Sequence, residues 1–100
     1  MRVSLPHELG AKEVRRRMHT HADEIGDYFP AGMAEVETNW SHEDRMDLLI
    51  LAAGQRIEGG IDVGEDTVVI ELDLPGMLGF MRGTLERAVR KNAGKLLEKD

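Results

Sequence analysis

The chain predicts an α+β domain of order β-α-β-β-β-β-α, an antiparallel sheet with two helices packed on one face, and three observations carry that prediction. Arg56 to Val63 and Thr67 to Leu74 alternate apolar and polar residues at a period of two, as half-buried strands do. Segments near each end place apolar residues at steps of three and four, as amphipathic helices do. Four consecutive strand-like runs are joined by short polar links, which favours an antiparallel meander over crossover connections.

Each element follows from its residues. Arg2 to Leu5 alternates as a short first strand, which Pro6 ends by removing a backbone donor and fixing φ. Val14, Met18, Ala22, Ile25 and Phe29 form one apolar stripe on a helix from about Ala11 to Tyr28. Gly10 serves as its N-cap with Glu13 reaching back, and Pro30 closes it before the reversal Pro30-Ala31-Gly32. From Ala34 the period becomes two, with Ala34, Val36, Thr38 and Trp40 on one side and Glu35, Glu37 and Asn39 on the other. After a polar turn at Ser41 to Arg45, the apolar run Met46 to Ala53 reads as a central strand stopped by Gly54. The last two strands turn at Gly64-Glu65-Asp66. They put Ile57, Ile61, Val63, Val68, Ile70, Leu72 and Leu74 inward. Pro75-Gly76 leads to a closing helix ending near Lys99, whose stripe is Leu78, Met81, Leu85, Ala88, Val89, Asn92 and Leu96.

With 100 residues the chain is expected to make one domain, residues 1–100, around one two-layer core. Its 41% hydrophobic and 32% charged residues belong to a folded, water-soluble protein. A cytoplasmic location is expected, because no apolar run approaches the ~20 residues of a membrane span and the N-terminus lacks the core of a signal peptide. Zero cysteines exclude disulfides and thiolate chemistry. A net charge of −6 argues against nucleic-acid binding. The charge is also uneven: acids dominate Glu35 to Asp73, whereas Arg82, Arg87, Arg90, Lys91, Lys95 and Lys99 make the closing helix basic.

No residue pattern points to catalysis, a metal or a cofactor. His7 follows a proline and precedes a helix without a second group at a defined spacing, so a structural or surface role is expected for it ahead of a general base at a pocket mouth. His19 and His21 stand about 200° apart on a helix and do not converge on one ion, and His42 is a turn residue. Arg15-Arg16-Arg17 fans out over a similar arc and reads as solvated helix surface. The pairs Glu35/Glu37 and Glu71/Asp73 fill outward strand positions that alternation requires to be polar. What alternation does not explain is Leu49, Leu51 and Ala53, which face outward if Leu48, Ile50 and Ala52 face the helices, while the opposite phase leaves Leu48 and Ile50 outside; a curled sheet could also cover them itself. Covering them in a homodimer, or against a partner, would remove exposed apolar surface. Arg82, Arg87, Arg90 and Lys91 form a second candidate interaction surface. Used as an interfacial element, that helix would also present Leu78, Phe80, Met81 and Leu85.

Pro6-His7-Glu8-Leu9-Gly10 before an amphipathic helix, Trp40, Gly60-Ile61-Asp62-Val63, Val69-Ile70-Glu71-Leu72 and Leu78-Gly79 before a basic helix together resemble the polyhydroxyalkanoic acid system family. These are small bacterial proteins encoded near polyhydroxyalkanoate granule genes. The resemblance implies a non-enzymatic binding or interaction protein of storage-polymer metabolism, meeting the granule, a granule protein or its own copy, and it brings no catalytic residues. The element order is also similar to a reduced helix-grip fold, a class that includes lipid-binding proteins. That likeness implies an alternative: a small carrier of an acyl or other hydrophobic ligand, lined by Met18, Trp40, Ile70 and Met81. Such a carrier needs a cavity of roughly 300 Å³ or more.

Overall fold

A computed structural model describes residues 1–21, 35–52 and 54–98. Ala34, Ala53, Lys99, the reversal at Pro30 to Gly32 and the continuation of the first helix to Tyr28 lie outside those residues.

The elements follow the expected order. Strand β1 is Arg2–Pro6, helix α1 is Ala11–Thr20, and strands β2 to β5 are Glu35–His42, Arg45–Ala52, Gln55–Val63 and Thr67–Asp73. Helix α2 is Arg82–Leu96. The five strands make one antiparallel sheet in the order β1-β5-β4-β3-β2. Strands β2 to β5 are therefore a meander, as short links dictate. β1 closes the far edge beside β5, where Val3 opposes Ile70.

Alternation set the faces as expected. Met46, Leu48, Ile50, Ile57, Ile61, Val63, Val68, Ile70 and Leu72 are buried on the inward face, with Val14 and Met18 of α1 and Leu85, Val89 and Ala93 of α2 packed upon them. α1 lies over β4 and α2 over β1. Both helices thus share one side of the sheet.

The closing helix departs from the expected form. Gly76–Met81 winds as 3-10 turns, and α-helix begins only at Arg82. Gly76 and Gly79 weaken an α-helix there by about 1 kcal/mol each relative to alanine, although α2 itself accommodates Gly83 and Gly94. The ridge facing the sheet is Leu85, Val89, Ala93 and then Leu97, leaving Ala88, Asn92 and Leu96 half-buried on its flank. Leu85 is fully enclosed, so it belongs to the core and not to an outer interfacial set.

Of the three arginines of α1, all expected as solvated surface, Arg16 is exposed, whereas Arg15 and Arg17 tie elements together. Arg15 pairs with Glu43 and Asp44 in the β2–β3 turn. Arg16 Nε donates to Glu13 at 2.6 Å. Arg17 bridges Glu13, at 2.9 Å, to the end of α2, donating from Nη1 to the carbonyls of Leu96 (2.9 Å) and Glu98 (2.7 Å). Those carbonyls lack intrahelical partners, and a cation at a helix C-terminus also opposes its dipole favourably. Gly10 is the N-cap, but no side chain caps the helix, because Glu13 turns toward Arg16 and Arg17.

These ties predict an acid response. Hydrogen bonds from Arg16 first and Arg17 second lower the Glu13 pKa from its usual 4.5 to about 2. A carboxylate with a depressed folded-state pKa stabilises the fold above its unfolded value and loses that contribution as pH falls through the folded value. Urea midpoints should therefore decline between pH 4.5 and about 2. Glu13→Gln should start lower at neutral pH and decline less over that window; an unchanged slope would remove Glu13 from the acid response.

Candidate functional site

Charge and curvature distinguish the surfaces of this protein. The outward face of the sheet curves into an open trough of about 1160 Å³ that touches all five strands, from Arg2 on β1 to Glu37 and Asn39 on β2. Antiparallel register builds its floor in rows: Arg2, Glu71, Gly60, Asp47 and Asn39 lie across the sheet in one, and Asp73, Glu58, Leu49 and Glu37 in the next.

At its centre Arg45 lies flat over Gly60, where any side chain would collide with the guanidinium. Arg45 donates to Asp47 (3.1 Å) and Asp62 (2.7 Å). Its pKa is raised, chiefly by the hydrogen bond to Asp47, and that of Asp47 is lowered by hydrogen bonds from Ser41 and then Arg45. The cluster is a self-satisfied charged network that keeps Arg45 ionised and held. Sequence reading missed it; the signal was the Gly59-Gly60 pair within a strand, which marks close approach by a neighbour.

Leu49 and Leu51 sit on this outward face and are half-buried. Leu49 lies between Glu37 and Glu58, and Leu51 between Glu35 and Arg56, so each leucine is flanked by charged stems and does not join a continuous apolar patch. Ala53 lies outside the described residues.

The outer side of α2 is different. Arg82, Arg87, Lys91 and Lys95 are exposed and, among the described residues, have no carboxylate partner. Arg90 is tied to Glu86 at 3.1 Å. At the start of the helix Phe80 is 82% exposed, the one large hydrophobic residue so placed among those described. Lys95, which completes this face, was absent from the expected set, although its spacing of four from Lys91 announces it.

Of the four residues expected to line a ligand cavity, Met18 and Ile70 belong to the core, and Trp40 and Met81 pack against it. Met18 and Ile70 meet in the core around a void of about 10 Å³, bounded also by Val14, Ile61, Val68, Ala93, Leu96 and Leu97. That is about the space of one water and holds no acyl chain. Trp40 instead stacks on His19 with ring centroids 4.3 Å apart, and Met81 is half-buried beyond the void. Between Met18 and Ile70, then, there is no room for a hydrophobic ligand.

His7 is buried and both ring nitrogens are engaged. Leu9 N–H donates to Nδ1 at 3.2 Å, which leaves the proton on Nε2 to donate to Gly64 O at 3.0 Å. With His7 N–H also on Asp66 O at 2.9 Å, the residue clamps the start of α1 to the β4–β5 turn, the structural role expected of it. Among the described residues no three His, Asp or Glu side chains gather as metal ligands, and no helix is long and apolar enough to cross a membrane.

The family model described as "Putative polyhydroxyalkanoic acid system protein" matches residues 1–97. No curated protein matches the chain. Among solved structures, the crystal structure of TTHA0849 from Thermus thermophilus aligns over 97% of this chain and 90% of that one, at 16% identity and a TM-score of 0.40.

Proposed function

This chain belongs to the polyhydroxyalkanoic acid system family, and from that premise we propose that it is a non-enzymatic interaction protein of storage-polymer metabolism, working in the cytoplasm at the polymer granule or on a granule protein. The observation that carries the reading is the outer side of α2, where Phe80 stands exposed two residues before Arg82 and the exposed Arg87, Lys91 and Lys95 follow along the helix without a carboxylate partner among the described residues. An exposed aromatic ring near unneutralised cations is the combination that interfacial contacts use, the ring as an apolar anchor and the cations for anionic groups. The engaged ring of His7 and the closed Arg45 network support a role without catalysis, since each meets its polar needs internally.

Purified protein should sediment with isolated polymer granules, and Phe80→Ser should reduce the bound fraction while leaving the melting temperature unchanged. Recovery of both proteins wholly in the supernatant would remove the granule as partner. Self-association through Leu49 and Leu51 belongs to the same reading; light scattering should show a dimer that Leu49→Ser weakens, and a monomer at all concentrations would strike that part out.

A further inference from the structure

Resting on the interaction reading above, we propose that the outer side of α2 docks on an anionic lipid surface, with Phe80 entering the acyl region and Arg87, Lys91 and Lys95 lying over the headgroups. Steps of four align these three cations as one ridge about 12 Å long on the helix. The ridge lies opposite Leu85, Val89 and Ala93, which are spent on the core. Docking therefore needs no unfolding, and the helix lies along the surface without inserting. Phe80 stands in the 3-10 segment just before α2, 82% exposed, with Arg82 two residues on.

Charge decides the occupant. The protein carries −6 overall, yet these cations have no carboxylate partner among the described residues. Glu37 and Asp73, which have no cationic partner among the described residues, stand on the outward sheet face, across the sheet from the side that carries the helices. With Arg90 already taken up by Glu86, the remaining cations give α2 a basic outer side, and such a side is drawn to an extended anionic plane with the acids of the outward sheet face turned away from it. A lone phenyl ring without a polar handle gains most by entering hydrocarbon, and cations beside it gain at the headgroups. Each basic residue brought to such a surface strengthens binding roughly fivefold.

The test is co-sedimentation with vesicles of phosphatidylcholine, with and without phosphatidylglycerol. Binding should require phosphatidylglycerol and vanish in high salt. Phe80→Ser should weaken it about tenfold, and Arg87→Glu with Lys91→Glu should abolish it, with unchanged circular dichroism in both. Equal binding to the neutral vesicles, no binding to either, or an unaffected charge-reversal variant would overturn the proposal. So would charge reversal that dissolves a self-associated species without changing lipid binding, which would make a second copy the occupant. Binding to granules without binding to vesicles would overturn this proposal alone and leave the family-level function standing.

Discussion

Gly59→Ala should destabilise the fold by on the order of 3 kcal/mol, lowering the melting temperature by roughly 12 to 24 °C for a domain of this size. Gly59 stands on β4 between Leu48 of β3 and Leu72 of β5. A Cβ built there overlaps the carbonyl oxygen of Glu71 and presses on the Leu72 side chain at 2.8 Å. The first obstacle is backbone, so no rotamer change relieves it; the β4–β5 ladder must part locally. Gly94→Ala is the matched control, since a methyl there meets nothing within 4 Å on α2. It should stabilise by up to about 1 kcal/mol through helix propensity. Urea denaturation of the two variants should shift in opposite directions. A Gly59→Ala protein as stable as wild type would mean that β4 and β5 lie farther apart than described.

The second large effect belongs to the inner ridge of α2. Leu85→Ala should cost about 2 to 5 kcal/mol, because Leu85 is fully enclosed and a cavity beneath a helix pinned at its C-terminal end by Arg17 cannot readily collapse. Phe80→Ser, five residues earlier, should change stability by no more than about 0.5 kcal/mol, since its ring is already in water. This contrast separates packing from contact with a partner. If Phe80→Ser proved as damaging as Leu85→Ala, the outer surface of α2 would be a packed one, and both the granule and the lipid reading would lose their foundation.

Much of the architecture was legible because it is written in local periods. Alternation in Arg56 to Val63 and Thr67 to Leu74 assigned strands and faces together, since a shift of one residue would bury Glu58, Glu71 and Asp73. The family was also legible, through motifs spread from Pro6 to Gly79, and the matching family model spans residues 1–97. Less legible was the closing helix, where an apolar run through Leu78 and Met81 suggested α-helix and the segment winds as 3-10 turns. The candidate surface was half-visible: Arg82, Arg87, Arg90 and Lys91 could be named from charge alone. Only structure separated Arg90, neutralised by Glu86, from its unpartnered neighbours.

By itself the sequence determined the order of strands and helices and, for the alternating strands Arg56 to Val63 and Thr67 to Leu74, which side faces inward. Each of these is a property of neighbours a few positions apart. Tertiary structure decided the rest. It joined Arg17 to carbonyls at Leu96 and Glu98, set Gly59 against the backbone of β5, closed Arg45 over Gly60, and filled the interior between Met18 and Ile70. These contacts join segments remote along the chain, and their geometry depends on how the sheet twists and how closely the helices approach it. No local period encodes those quantities. The same reason governs the functional surface: periodicity marked α2 as amphipathic, but only packing determined that Leu85 is enclosed while Phe80 and the cations beside it remain available for a partner.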